Sequence, residues 1–397
     1  MDSERWLLPE GVAEVLPPES WRLEAARRSV LDLYWRWGYD LIRPPLIEYL
    51  DSLLTGAGSN LDLHTFKLTD QLSGRMLGVR SDMTTQAARI DAHRLPVSGP
   101  ARYCYIGSVL RTRTEEPGGS RAPLQIGVEL FGHAGMEGDL EVLSLMLETL
   151  HELGIDPVCL DLGHVAIYRN LVEHAGIVCD VERRLFDVMQ RKSAPDLQAM
   201  VDEGELAGPA GATFAGLMNL HGDASILDRA RLELGARDAR IGAALDSLER
   251  MVERLARHYP QVPVYLDLAE LHGYRYKTGM VFAAFAPGLG RELARGGRYD
   301  NVGAAFGRAR AATGFSADLN VLAALGNPAG WTEESVRAPA DDDPALHTEI
   351  RRLRADGRRV VVQLPDEDTG AAATACLVWE DGGWRCRPIA GEGGRNG

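Results

Sequence analysis

Between Ile106 and Gly132 the chain reads IGSVLRTRTEEPGGSRAPLQIGVELFG, a stretch whose polar residues include Arg111, Gln125 and Glu129. Carboxylates grouped with an amide, hydroxyls and an arginine can hold a small polar ligand. Glu129 lies four residues after Gln125, and a second set, Asp82 and Thr84, stands in LGVRSDMTTQAAR (Leu77–Arg89). His272 and Tyr276 fall in LHGYRYKTGMVF, and Tyr299 in ARGGRYDNV. Other chemistries lack their residues. There is no G-x-x-x-x-G-K-[ST] loop, no G-x-S-x-G elbow and no H-E-x-x-H pair. Gly288–Gly290 gives a G-x-G without a third glycine, which reads as a turn. The five cysteines, Cys104, Cys159, Cys179, Cys376 and Cys386, contain no C-x-x-C pair. A metal or redox site is unsupported, reduced thiols are expected, and no cofactor is called for. Cys376 and Cys386 could face each other on a hairpin, but nothing requires a disulfide there.

Helices and strands must hold these residues. Leu23, Ala26, Val30, Leu33 and Trp37 recur at helical spacing, so residues 20–37 read as an amphipathic helix ended by Gly38. GYDLIRPPLIEY is a strand broken by Pro44 and Pro45. A second helix spans Asp139–Leu153, with Leu140, Leu143, Leu147 and Leu150 on one face. Residues 165–258 are mainly helical, with their clearest stripe at Ile241, Leu245, Leu248, Val252 and Leu255. Strands return at Val264–Leu268 and Thr278–Ala286. Residues 327–344, NPAGWTEESVRAPADDDP, read as a linker. Beyond it, 345–397 gives a helix, a strand at Val360–Leu364 and a hairpin through CLVWEDGGWRCRP. Strands mixed with segregated helices indicate an α+β fold with an antiparallel sheet.

The chain is long enough for two or three domains, at 397 residues. Net charge is −14, from 43 basic and 57 acidic residues, a balance that argues against binding nucleic acid. RRLRADGRR (Arg351–Arg359) reads as a solvated helix end. No apolar run reaches the ~18 residues of a membrane span, and the N-terminus lacks the pattern of a secretory signal. A cytoplasmic protein is expected.

Taken in order, these segments resemble class II aminoacyl-tRNA synthetases, and specifically histidyl-tRNA synthetases. LLPEGVAEVLPPE (Leu7–Glu19) is similar to that family's entry segment, and GYDLIRPP to motif 1, whose family role is a dimer interface. Leu77–Arg89 resembles the L-R-P-E-G-T segment, and Ile106–Gly132 aligns with motif 2 without a gap. Leu271–Phe282 and Ala294–Val302 resemble the two histidine-specific motifs, and GFSADLNVL (Gly314–Leu322) stands at motif 3. The resemblance covers residues 7 to about 325. It implies a class II-like domain over 1–326 with a helical insertion at about 165–258. After the 327–344 linker, 345–397 would be a shortened α/β relative of the anticodon-binding domain. It also implies a histidine-like pocket: Asp82 for the ammonium group, Thr84 beside it, Gln125 and Glu129 lining the site, and Tyr276 and Tyr299 around it. Tyr299 matches an aromatic residue near the imidazole, and Arg111 and His272 would lie near a carboxylate or phosphate.

The nucleotide positions depart from the synthetase pattern. Arg111 keeps the arginine that grips the α-phosphate. Arg113 replaces a glutamate, Pro123 the aromatic that stacks on adenine, and Leu124 a histidine. Asn320 and Val321 replace the Glu-Arg pair of motif 3. His272 replaces an arginine that stabilises the activation transition state, and a histidine lacks its permanent charge and bidentate fork. Each such loss costs about a few kcal/mol of transition-state stabilisation. Lys277 stands where the family has a tyrosine near the imidazole. HGYRYKTGMVFAAF followed by ARGGRYD is similar to the synthetase paralogues that serve as regulatory subunits of ATP phosphoribosyltransferase. That resemblance implies a non-catalytic chain. It would form a dimer, partner the short catalytic subunit in the first step of histidine biosynthesis, and mediate inhibition by histidine. No binding of tRNA and no membrane association are expected. The alternatives are an active histidyl-tRNA synthetase, a ligase for another substrate, and a scaffold with a vestigial pocket.

Overall fold

A computed structural model describes residues 6–56, 59–114, 119–235, 237–271, 273–274, 276–328, 332, 334–364 and 373–389. The chain divides into two units, Met1–Ala329 and Gly330–Gly397.

The first unit is built on a nine-stranded sheet. Its strands are β1 (Asp40–Leu41), β5 (Ala101–Ser108), β6 (Leu124–Phe131), β7 (Cys159–His164), β8 (His221–Gly222), β9 (Val264–Asp267), β10 (Met280–Phe285), β11 (Glu292–Arg298) and β12 (Ala312–Asp318). They lie in the order β1-β5-β6-β12-β11-β10-β7-β9-β8. From β5 to β7 every pairing is antiparallel. Parallel pairing occurs where β1 meets β5 and where β7 meets β9. A small antiparallel sheet of β2 (Ile47–Tyr49), β3 (Phe66–Thr69) and β4 (Met76–Val79) flanks it, in the order β2-β4-β3.

The helix Glu19–Arg36 buries Ala26, Val30, Leu33 and Tyr34, and Trp37 ends it as its cap. Met136–Glu152 is buried well beyond the expected leucine stripe: Val142, Leu145 and Met146 are buried too. It packs between β6, β10, β11 and β12 on one side and the helices Glu19–Arg36 and Ala239–His258 on the other. A helix enclosed this way is apolar around most of its circumference. Gly154, at φ +72°, turns the chain after it. Between β7 and β9 lie the helices Val165–His174, Cys179–Gln190, Ala194–Asp202, Gly208–Met218, Ile226–Ala230 and Ala239–His258, with β8 among them. The last of these has the strongest stripe: Ile241, Leu245, Leu248 and Leu255 are buried, and Asp238 caps its N-terminus through Arg240 N.

The second unit has the sheet order β14-β13-β15-β16, from β13 (Ser335–Ala338), β14 (Arg359–Val362), β15 (Ala375–Glu380) and β16 (Gly383–Pro388). Leu346, Ile350 and Leu353 of the helix Pro344–Ala355 pack with Val336, Ala338, Val360 and Leu377. Residues 327–344, expected as a linker, therefore supply an interior strand of this sheet. Four residues are too few to show alternation against their Pro-, Ala- and Asp-rich flanks. The cysteines of the β15–β16 hairpin are free. Cys386 pairs in register with Leu377 and Cys376 with Arg387, so their side chains leave opposite faces. Among the described residues no helix is long and apolar enough to cross a membrane.

Candidate functional site

The turn from β4 into the helix Thr84–His93 carries the first pair of site residues. Asp82 Oδ1 accepts from Thr84 N at 2.7 Å, an Asx-type closure that starts the helix. Its other oxygen accepts from Gln125 Nε2 at 2.7 Å, while Gln125 Oε1 accepts from Met83 N at 3.0 Å. One carboxamide thus fixes both the side chain and the main chain of the turn. The four-residue spacing of Gln125 and Glu129 is that of a strand, and it sets both on one face of β6.

Tyr105 of β5 joins the two halves of the site. Its hydroxyl donates to Glu129 Oε1 at 2.9 Å and lies 3.2 Å from Thr84 Oγ1. The ring fits because Gly127 is its register partner: a Cβ there would stand 2.5 Å from the ring. Glu129 is 1% exposed, and its Oε2 has no hydrogen-bond partner among the described residues. That oxygen lies over Gly314 of β12, where a Cβ would come within 1.9 Å of it. Burial holds the Glu129 carboxyl well above the usual carboxylate range. The hydrogen bond from Tyr105 opposes this, and the nearby charge of Asp82 adds to it.

Tyr276 and Tyr299 form an aromatic wall, with ring centroids 5.3 Å apart and planes at 25°. The Tyr276 phenol is pushed upward by burial and by the charges of Glu129 and Asp82. The Tyr299 hydroxyl is buried without a hydrogen-bond partner among the described residues. Lys277 bonds through Nζ to the carbonyl of Gly296 rather than to a pocket carboxylate. Burial and the charge of Arg295 lower its ammonium to about 8. Gly297 adopts φ +148°, and a Cβ there would meet Met280 O at 2.5 Å, which is why the Gly-Gly step follows Arg295.

Arg298 holds this end of the site to the body. It donates to Asp139 Oδ2 at 3.0 Å, Asp300 Oδ1 at 3.2 Å, and the carbonyls of His133 and Gly135 at 3.1 and 3.0 Å. Arg111 reaches Ser81 O at 3.4 Å, and its charge acts on Asp318. Asp318 in turn accepts from Leu124 N and Asn320 N, at 3.2 and 3.0 Å. Val321 packs against the apolar core, and Arg113 is exposed. The structure therefore brings Asp82, Thr84, Gln125, Glu129, Tyr276 and Tyr299 together, with Arg111 behind the same turn. His272 lies outside the described residues. Tyr105, Gly127, Gly314 and Arg298 were missed in the sequence. Tyr105 carries no signal in the sequence, because its contact with Glu129 depends on the register of β5 against β6.

One further acidic cluster has metal-ligand chemistry: Asp161, Asp267 and Glu270 each place an oxygen within 4.8 Å of the others. Lys192 pairs with Asp267, and burial with the two neighbouring carboxylates pushes Asp161 up to about 7. A lysine and a proton thus offset most of its charge.

The sheet, the turn and the glycine-backed pocket define a class II aminoacyl-tRNA synthetase-like domain. The histidyl-tRNA synthetase family pattern matches residues 11–322, and that of the ATP phosphoribosyltransferase subunit HisZ C-terminal domain matches 333–387. A histidyl-tRNA synthetase from Nostoc sp. PCC 7120 shares the fold, with a TM-score of 0.78 at 16% identity, over 94% of this chain and 91% of that one. A protein from Bacillus halodurans C described as an ATP phosphoribosyltransferase regulatory subunit/histidyl-tRNA synthetase gives 0.80 at 27% identity, over 92% and 94%. The ATP phosphoribosyltransferase regulatory subunit of Thioalkalivibrio sulfidiphilus is 52% identical, over 94% of this chain and 95% of its own length. That of Chromohalobacter salexigens is 50% identical over 98% and 99%. The chain belongs to the family of ATP phosphoribosyltransferase regulatory subunits.

Proposed function

We propose that this chain activates a short catalytic subunit of ATP phosphoribosyltransferase in the first step of histidine biosynthesis, and makes it sensitive to inhibition by histidine. One observation carries the ligand assignment. Glu129 is buried with an unsatisfied oxygen, linked through the Tyr105 hydroxyl to Thr84 of the Asp82 turn, and the stacked tyrosine pair packs in the same cluster as Tyr105. An unsatisfied buried carboxyl oxygen costs stability, and a ligand that donates to it recovers that cost. Histidine fits. Asp82, Thr84 and Gln125 would face its ammonium group, Glu129 and the Tyr276–Tyr299 wall its imidazole, and Arg111 its carboxylate.

The nucleotide side favours loss of adenylate chemistry. Val321 is half-buried against the core where a synthetase would grip phosphates, and Arg113, Pro123 and Asn320 do not replace that contact. The chain is then regulatory and not catalytic. Histidine can control a partner only by binding two assembly states unequally, so the pocket must differ between the active and inhibited complexes. The assembly we infer is a hetero-oligomer on a dimer of this chain supplied by the Gly38–Pro45 segment, without tRNA.

The test is phosphoribosyl-ATP synthesis by the short catalytic subunit, with this chain added and then with histidine. Activation reversed by histidine is expected. Activation without histidine sensitivity would leave a scaffold with a vestigial pocket, and histidine-dependent exchange of pyrophosphate into ATP would overturn the loss of synthetase chemistry.

A further inference from the structure

Tyr276 belongs to a turn, residues 273–277, that leads into β10, and two helices of the insertion hold that turn. Arg169 of the helix Val165–His174 donates through Nη2 to the carbonyls of Tyr274 and Lys277, at 3.1 and 2.7 Å. Inside the turn the amides of Tyr276 and Lys277 both donate to Gly273 O at 2.9 Å. Gly273 itself takes φ +71°, a conformation that glycine adopts without strain. Arg169 therefore closes from outside a loop whose last two amides share one carbonyl.

Tyr274 is the other half of the joint. It is buried, with its ring edge-on to Tyr168 at 5.0 Å and tilted against Phe186 at 5.6 Å between centroids. The Arg169 guanidinium lies 5.2 Å from the centre of the same ring. The Tyr274 hydroxyl donates to Glu182 Oε1, on the helix Cys179–Gln190, at 2.8 Å. Burial and that bond push the phenol up to about 12, so it stays a donor across neutral pH. Tyr274 is thus locked between two insertion helices, and Tyr276, two residues on, stacks on Tyr299. A turn held in this way has already lost the backbone freedom that a ligand would otherwise have to remove, which strengthens binding.

We propose that the helical insertion sets the aromatic wall of the ligand site, with Arg169, Tyr274 and Glu182 as positioning residues that hold Tyr276 against Tyr299. The inference rests on reading the Glu129 site as a ligand pocket, and it adds the element that regulates that pocket. Coupling of this kind is reciprocal: a ligand that binds better when the turn is held must also tighten the insertion helices against the turn. The insertion is then the part of the chain whose state differs between the filled and the empty pocket.

The test uses the full chain. It reads hydrogen exchange of peptides across residues 273–280 without ligand, then calorimetric titration with histidine. In Arg169→Met, exchange across the turn should rise roughly tenfold or more while that of Ala312–Asp318 stays as in the parent. Histidine affinity should fall about tenfold in the same variant, the size of one charge-assisted contact. Arg169→Lys still offers a donor to the carbonyls and should recover most of both. Tyr274→Phe keeps the ring and drops the bond to Glu182. It should give both changes at smaller size, and it serves where Arg169→Met fails to fold. In the parent, histidine should slow exchange across Val165–His174 and Cys179–Gln190. The proposal is overturned by unaltered exchange across the turn in both Arg169→Met and Tyr274→Phe, or by full histidine affinity in variants whose turn exchanges faster. A parent that binds no histidine overturns the ligand reading instead, and the ligand-free exchange still decides whether the insertion holds Tyr276.

Discussion

Replacing Glu129 by Gln keeps the shape of the side chain and its acceptor for Tyr105 while removing the titratable proton. In the empty pocket burial keeps Glu129 protonated well above the ordinary carboxylate range. A carboxyl and an imidazole that meet there need one proton between them. At low pH, where both partners arrive protonated, one proton must leave, so affinity falls about tenfold per pH unit. Above the raised pKa of Glu129 neither partner carries the proton and one must be taken up, so affinity falls again. Histidine affinity should therefore plateau between the two. In Glu129→Gln the alkaline limb disappears, and plateau affinity drops by about 1.5–3 kcal/mol, or roughly 10- to 150-fold, for the lost charge-assisted bond. Stability moves the other way. A carboxyl whose folded pKa is raised gives most stability below its unfolded value of about 4.3 and loses it as pH rises towards the folded value. The melting temperature of Glu129→Gln should accordingly fall less than that of the parent between pH 5 and 9. Calorimetric titration with histidine across that range, paired with thermal unfolding, reads both effects. An alkaline limb that survives in Glu129→Gln, or an unchanged plateau affinity, would refute the shared-proton reasoning.

Three further outcomes are expected. Gly314→Ala puts a Cβ 1.9 Å from Glu129 Oε2 and 2.6 Å from Val128 O, so both carboxylate and strand must move; thermal unfolding should show a loss of about 2–3 kcal/mol, and calorimetry no histidine binding. Arg298→Met leaves Asp139, which is 5% exposed, without its cation. Its cost should be ~3–5 kcal/mol, a fall in melting temperature on the order of 5 °C, and Asp139→Asn in the same chain should recover part of it. Asp82→Ala should raise the histidine concentration needed for half-inhibition of phosphoribosyl-ATP synthesis by ~10-fold or more, with complex formation unchanged by sedimentation.

The sequence announced the helices Glu19–Arg36 and Ala239–His258 because each has an apolar stripe at helical spacing. It announced the Asp82, Gln125 and Glu129 neighbourhood through motif order. It could not show Tyr105 as the link, because that contact depends on the register of β5 against β6, and register is set by the whole hairpin. Gly127 and Gly314 carry no side chain to attract notice; their meaning is the space they leave for Tyr105 and Glu129. Lys277 looked like an intruder in the pocket until the carbonyl of Gly296 appeared as its partner. β13 was hidden by brevity, since four residues between proline- and aspartate-rich flanks resemble a connector until two neighbouring strands bond to them.

The nine-stranded sheet ends on both sides in a two-residue strand, Asp40–Leu41 at one edge and His221–Gly222 at the other. Soon after Leu41 come Pro44 and Pro45, which have no amide hydrogen to offer. Such short margins give little template for an incoming strand, and the sheet is guarded against runaway stacking into fibres. Whatever meets these margins must consequently be recognised through side-chain surfaces, which sequence change can retune residue by residue, and not by continuing the nine-stranded ladder.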